Sequence, residues 1–341
     1  MHRWAAPVGC RGRDCGRDAP GARLRPRGGA PRRRPVTVAD AAGLVGAGAG
    51  GTIGAPRVCA LGGGHGLATT LRAVRTYAGE VTAVVSVADD GGSSGRIRRA
   101  IGGPAPGDLR RCFEALGDAS MLSAEMGWRF GSGELAGHAL GNLLIAGLVA
   151  AGDDLVAALD EVGRMVSSVG RVLPATSVPV DLVADTGDWE VEGQVAVHRA
   201  EGVVGMRLVP EDAPAPVETT GAIRRADQVV LGPGSFFTSV LAATLSVDVR
   251  SALRERSGPL VLVANLVADR EGPADLSDHV RLLAEHEVEP DVLLVDGGSG
   301  RPVPDALPGG GRVVAASMAG PDARTHDPVR LGRALADLFE G

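Results

Sequence analysis

The sequence predicts an α/β protein built on a doubly wound, mostly parallel sheet with a helical and small-strand insertion. Two observations carry this. Apolar, β-branched runs alternate with amphipathic segments along most of the 341 residues, the grammar of repeated strand–helix–strand units. The runs are apolar on both faces, as interior strands of a parallel sheet are. Hydrophobic residues make up 44% of the chain and aromatic residues only 3%, so the core has to come from Val, Leu, Ala and Ile.

Residues 1–50 do not share the pattern. The stretch RGRDCGRDAPGARLRPRGGAPRRRP is rich in Arg, Pro and Gly and nearly devoid of apolar side chains. It cannot bury enough surface to offset its ordering entropy, and a disordered tail is expected. It also lacks the apolar stretch of a signal peptide.

A single nucleotide-binding domain is expected over residues 57–341. RVCALGGG reads as a first strand ending in glycines, LATTLRAVRTYA as a helix with Leu67, Leu71 and Val74 at helical spacing, and VTAVVSVADD as a buried second strand. Together they make a βαβ unit. QVVLGPGSFFTSVLAATL repeats strand, loop and helix. PLVLVANLV, DVLLVDG and RVVAASMA read as strands, and DLSDHVRLLAEH and DPVRLGRALADLFEG as helices. Between these halves, over about residues 107–217, lies an insertion. Helices are expected near 109–116, 138–151 and 155–166, followed by short strands in VPVDLVADT, EVEGQVAVHRA and GVVGMRLVP. This insertion is expected to cover the carboxyl edge of the sheet.

Charge and composition narrow the chemistry. A net charge of −6 and a pI near 5.7 argue against general nucleic-acid binding. No apolar run reaches the length of a membrane span, and GNLLIAGLVAAG reads as a buried helix. The chain contains no lysine, which excludes Schiff-base chemistry and a Walker-type phosphate lysine. A phosphate therefore has to be held by Arg forks, backbone N–H groups or a metal. Cys10, Cys15, Cys59 and Cys112 lack metal-ligand spacing, which suits a reduced cytoplasmic protein.

The first glycine loop, Gly62, Gly63, Gly64, His65 and Gly66, is a candidate pyrophosphate site at a helix N-terminus. Leu67 replaces the last glycine of the dinucleotide fingerprint, and a plain tight turn is the alternative. Asp89 and Asp90 follow where a doubly wound sheet places a ribose-binding carboxylate. Adjacent in an extended chain, they point to opposite sides. Both are catalytic candidates, and Asp90 is also a candidate ligand for Mg²⁺ carried by phosphates; an acidic turn is the alternative. GGSSGR reads as a flexible loop whose Ser93, Ser94 and Arg96 offer hydroxyls and a guanidinium to a phosphate, with Arg98 and Arg99 solvated. PGDLRRC opens a helix in which Asp108 either caps or acts chemically.

LAGHALGN places His138 and Asn142 at i, i+4 on one helix, either facing a pocket or structurally satisfied. In VVLGPGSFFTS a buried strand ends in Gly232-Pro233-Gly234. Ser235 is placed to cap the next helix, whose N-terminus receives an anion. Two such turns with a diacid point to a nucleotide diphosphate in the crevice. Metal-protease spacing, paired Cys/His ligands and a G-x-S-x-G elbow are absent. His198, His279, His286 and His326 stand apart and are expected to be structural or exposed.

Six segments carry a family resemblance: GGGHGLATTLRAV, VVSVADDGGSSGRIRR, PGDLRRC with EALGD, LAGHALGNLLIAGL, VLPAT and VVLGPGSFFTSVLA. In this order, over roughly residues 57–300, they resemble the gluconeogenesis-factor family (YvcK-like proteins), which is related to 2-phospho-L-lactate transferase (CofD-like). The resemblance implies a Rossmann-like core, a cytoplasmic location and binding of a nucleotide sugar of the UDP-N-acetylglucosamine type. It also implies a role in cell shape and cell-wall metabolism during gluconeogenic growth. Relatives in the transferase branch use Mg²⁺ and move a phospholactyl group onto a deazaflavin. Three places depart from the family pattern. His65 stands where Thr is expected, Phe236-Phe237 where Leu-Tyr is expected, and VADREGPADLSDHV replaces a Thr-Gln-Pro-Gly-Glu-Thr segment.

The expected function is thus a nucleotide-sugar-binding regulator, with a small-molecule nucleotide as partner and a homodimer as assembly. The alternative is a Mg²⁺-dependent 2-phospho-L-lactate transferase-like enzyme. An NAD(P)-dependent oxidoreductase is a third reading, weakened by the imperfect glycine fingerprint.

Overall fold

Seven parallel strands form the main sheet of the computed structural model, which describes residues 54–152 and 154–340. The strands are β1 (Arg57–Gly62), β2 (Glu80–Val85), β3 (Arg171–Pro174), β4 (Asp181–Asp185), β5 (Glu190–Glu192), β6 (Gly205–Val209), β7 (Gln228–Leu231), β8 (Leu260–Val263), β9 (Val292–Asp296) and β10 (Arg312–Ala316). The main sheet runs β10-β9-β8-β7-β1-β2-β3, and β5-β4-β6 form a small antiparallel sheet. The helices are α1 (Gly64–Val74), α2 (Gly92–Ile101), α3 (Pro106–Leu116), α4 (Met121–Glu125), α5 (Leu140–Gly152), α6 (Leu155–Met165), α7 (Gln194–Val197), α8 (Val217–Arg225), α9 (Val247–Arg254), α10 (Leu276–Glu285) and α11 (Pro328–Glu340). A π-helical turn, Phe236–Leu241, follows β7.

The strand order reverses at β1, which pairs with β2 on one side and β7 on the other. In doubly wound sheets such a reversal opens a crevice beyond the carboxyl ends of the strands. Strands β7 and β8 are buried at every residue, and β1 and β2 at every residue but the first. Their Val, Leu and Ala side chains supply the core that the scarcity of aromatics demands, each large one contributing about 1.5–3 kcal/mol on burial.

Four segments differ from the expectation. GGSSGR is not a flexible loop but the first turns of α2, which closes on Gly102 at a left-handed φ of 75°. Its Gly95 serves close packing: a Cβ there would lie 1.7 Å from the Asp90 carbonyl oxygen. The EVEGQVAVHRA segment is strand only over β5 and then turns into α7. The helix expected from residue 138 begins at Leu140, leaving His138 just outside it. Finally, β3 lies within the insertion yet joins the main sheet beside β2.

The tail expected over residues 1–50, with Cys10 and Cys15, lies outside the described residues. No single described helix is long and apolar enough to cross a membrane. A pair bent by 73°, Phe236–Thr244 with Val247–Arg254, matches a span by length and composition, but residues 236–246 are buried in the core.

Candidate functional site

The two glycine turns meet. A Cβ on Gly66 would lie 2.0 Å from the Pro233 carbonyl oxygen and 3.0 Å from Gly234 Cα. The Thr70 hydroxyl donates to the Gly232 carbonyl over 2.8 Å, tying α1 to the second turn. A Cβ on Gly63 would stand 3.4 Å from Ser239 Oγ. Sequence placed a glycine at each of these points, and the contact explains why: neither turn can carry a side chain toward the other.

Three helix N-termini also converge. Gly64 N–H at the start of α1 donates to Asp108 Oδ2 over 2.8 Å. Asp108 thus does not cap its own helix; it reaches from the first turn of α3 to cap α1, and it pairs with Arg111. A Cβ on Gly107 would lie 2.3 Å from Ser94 Oγ and 3.2 Å from Asp89 Oδ2, so α3 lies against the start of α2. Asp89 accepts from Gly91 N–H at 2.9 Å. Burial pushes its carboxyl above the ordinary Asp value, and the charge of Asp108 adds to this against the Gly91 and Ser94 hydrogen bonds. The N–H groups of His65 and Gly66 on α1, and of Gly92, Ser93 and Ser94 on α2, have no acceptor among the described residues. They are free donors at the positive ends of two helix dipoles. His65 itself is exposed. Partial desolvation of its ring, and then Arg111, lower its pKa below the ordinary value.

Ser93, His138 and Asn142 come together although His138 precedes α5. Arg96 Nε donates to His138 Nε2 at 3.3 Å. A guanidinium cannot accept, so the imidazole proton sits on Nδ1 and points to Ser93 Oγ, 3.1 Å away. Burial and the charges of Arg96 and Arg129 hold His138 below its ordinary pKa, in line with this neutral tautomer. Asn142 Nδ2 also donates to Ser93 Oγ at 3.1 Å, while its Oδ1 accepts from the buried Arg110 Nε at 3.0 Å. Ser93 Oγ therefore accepts twice, and its own O–H is left to donate elsewhere. Arg96 also reaches the Ala136 carbonyl. Arg98 is not solvated; it pairs with Asp181 at 2.9 Å.

Asp90 takes a different partner from Asp89. Its Oδ1 accepts from Val195 N–H at 3.0 Å, and a Cβ on Gly193 would lie 2.4 Å from its Oδ2. Among the described residues no group of three or more His, Cys, Asp or Glu could hold a metal. Asp89 beside Asp108 still suits a divalent ion brought by phosphates, since Mg²⁺ typically takes one or two carboxylates with phosphate and water.

Around the second turn the structure brings in residues that the sequence reading passed over. Gly234 N–H donates to Asn265 Oδ1 at 3.0 Å, Phe236 N–H to Asp269 at 2.6 Å and Thr238 N–H to Glu271 at 2.8 Å. Ser235 makes no capping side-chain bond; Asp269 and Glu271 take that role across the fold. His198 does not stand apart, because its Nδ1 lies 2.7 Å from Glu271 Oε2. The signal was available in part: Asp269 and Glu271 lie in the segment after β8 where the chain departs from the family pattern, and Asn265 lies just before it.

Fold and turns together define a Rossmann-like α/β protein with unpaired backbone donors near its strand-order reversal. The family model described as 2-phospho-L-lactate transferase CofD matches residues 58–304. The chain is 46% identical over 245 residues to a provisionally named gluconeogenesis factor of Mycobacterium tuberculosis, covering 67% of this chain and 72% of the relative. It is 38% identical over 316 residues to one from Deinococcus radiodurans, covering 84% of this chain and 66% of the relative. The gluconeogenesis factor of Halalkalibacterium halodurans is 34% identical over 260 residues, covering 73% of this chain and 79% of the relative. A crystal structure of a UPF0052-family protein from Bacillus halodurans superposes with a TM-score of 0.74 at 30% identity, covering 82% of this chain and 98% of the other. The chain belongs to the gluconeogenesis-factor family and carries a CofD-type domain.

Proposed function

We propose that the chain binds a nucleotide sugar of the UDP-N-acetylglucosamine type in the crevice above β1, and acts as a gluconeogenesis factor that senses this ligand with little or no turnover. The observation that carries the reading is the contact between the two glycine turns at Gly66 and Pro233. It brings the open N-terminus of α1 to the turn after β7, while α3 joins the start of α2 to α1 through Gly107 against Ser94 and Asp108 on Gly64. In this reading the diphosphate takes the N–H groups of His65, Gly66 and Gly92–Ser94, the Ser93 hydroxyl and the Arg96 guanidinium. Asp89 takes a ribose hydroxyl or a Mg²⁺ ion carried by the phosphates. Such an ion, when bound, neutralises phosphate charge. A cytoplasmic location, a homodimeric assembly and a role in cell shape and wall metabolism go with this reading.

The proximity of Asp89 to Asp108 favours a second reading, a Mg²⁺-dependent transferase of the CofD type. A calorimetric panel separates the two, using UDP-N-acetylglucosamine, UDP, GDP, NADH and the deazaflavin with and without Mg²⁺. The regulator reading expects the UDP-sugar to bind and to be recovered unchanged. Phospholactyl transfer to the deazaflavin would replace it with the transferase reading.

A further inference from the structure

Residues 193–198 run from the end of β2 to the turn after β7. At one end Val195 N–H is held by Asp90, five residues beyond the end of β2. At the other, His198 is held by Glu271, which also grips Thr238 in the turn after β7. Since β2 and β7 are the two neighbours of β1, this segment bridges the two sides of the β1 glycine loop.

The pairing at its far end is unusual for a surface histidine. The Glu271 side chain is fully buried at 0% exposure, while that of His198 is 51% exposed. Glu271 Oε1 accepts from Thr238 N–H and from the Thr238 hydroxyl, both at 2.8 Å. Its Oε2 accepts from His198, and no guanidinium bonds to it among the described residues. Nδ1 is the nitrogen that faces Glu271, so Nε2 is the edge left open. A buried charge is retained only with good partners, and here the only ionisable one is this half-exposed imidazole.

Three of the backbone donors on this side of the crevice are already taken. Gly234, Phe236 and Thr238 all give their N–H groups to side chains of the 265–271 segment. An anion resting against the second turn is left the Ser235 and Phe237 N–H groups and any nearby side-chain donor, and the chain has no lysine to give. We propose that His198 is a ligand-binding residue, oriented by Glu271 to present Nε2 to a phosphate oxygen of the molecule held between the turns. In its imidazolium form that contact is a charge-assisted hydrogen bond. Glu271 is a positioning residue that acts through His198. This assignment rests on the crevice being the ligand site.

The test follows the imidazole directly. The full chain, labelled with ¹⁵N-histidine, is titrated separately with inorganic pyrophosphate and with UDP-N-acetylglucosamine. Both are expected to shift the His198 Nε2 resonance. His198→Gln is expected to weaken both about tenfold, the scale of one charged hydrogen bond. Glu271→Gln is expected to move the His198 Nδ1 resonance and to weaken binding in the same direction. Tight UDP-sugar binding that leaves His198 unshifted and survives His198→Gln overturns the assignment while the nucleotide-sugar reading stands. A His198 shift with pyrophosphate, but no tighter binding of the UDP-sugar, keeps His198 and overturns the nucleotide-sugar reading. Binding of neither probe to the unmodified chain overturns both.

Discussion

Gly66 and Pro233 are in backbone contact: the Pro233 carbonyl oxygen occupies a point 2.0 Å from where a Cβ on Gly66 would stand. The turn after β1 and the turn after β7 are therefore one structural unit, although 167 positions separate the two residues (233 − 66). The Thr70–Gly232 hydrogen bond fastens the same pair of turns one helical turn deeper.

Gly66→Ala forces these turns apart. The expected cost is about 1–3 kcal/mol, the usual penalty of overpacking, read as a lower urea midpoint with an unchanged m-value. Gly147→Ala is the contrasting case. Gly147 lies exposed inside α5 with nothing within 4 Å of an added Cβ. Relief of glycine's backbone entropy there is expected to add about 0.5–1 kcal/mol. If both changes destabilise equally, the contact is not what distinguishes them.

Asp89 gives a pH dependence with a definite sign. Burial raises its carboxyl above the ordinary value in the folded chain. Between the unfolded pKa of about 4 and that raised value, the native state holds more protons than the unfolded one. Stability from this group thus falls as pH rises through the window. Asp89→Asn is expected to be more stable than the unmodified chain at pH 7, with the difference shrinking as pH falls through the raised value and gone below about 4. Urea titrations at a series of pH values check this, and a variant less stable at pH 7 would contradict it.

Asn142 links the buried Arg110 to Ser93. Asn142→Ala leaves the Arg110 Nε–H without its acceptor and is expected to cost about 1–3 kcal/mol. In a double-mutant cycle with Ser93→Ala, coupling of about 0.5 kcal/mol or more is expected for groups that share one network. Additive effects would mean the bond between them contributes nothing.

Cys59 and Cys112 are buried in the core. Burial pushes the Cys59 thiol up to about 12 and raises Cys112 as well. Since the thiolate is the reactive form, peptides carrying either residue are expected to resist iodoacetamide at pH 8 until the chain is unfolded by urea. Labelling in the native state, read by mass spectrometry, would show that the core opens there.

How much of this was legible beforehand depended on whether the cause lay within a short window. β1, β2 and β7 announced themselves because burial on both faces demands unbroken apolar runs, and the glycines after them because a turn so close to another backbone tolerates nothing larger. The helix α2 was missed because glycine signals flexibility locally, whereas Gly95 is there to let α2 lie against the Asp90 carbonyl. Asp108 was legible as a helix-capping residue but not as the cap of α1, since that partner is 44 positions away. Asn265, Asp269 and Glu271 cap a turn some 30 positions earlier, a relation that no local spacing encodes. The short strand β3, VLP after an arginine, has too little length to show a period.

Hydrogen exchange of the full chain with and without UDP-N-acetylglucosamine tests whether a single ligand spans both turns. Slowed exchange is expected together in peptides covering residues 62–67, 91–96 and 232–239, with β10 unaffected. Protection limited to one of these three segments, or found elsewhere while all three exchange as before, would contradict a shared diphosphate site.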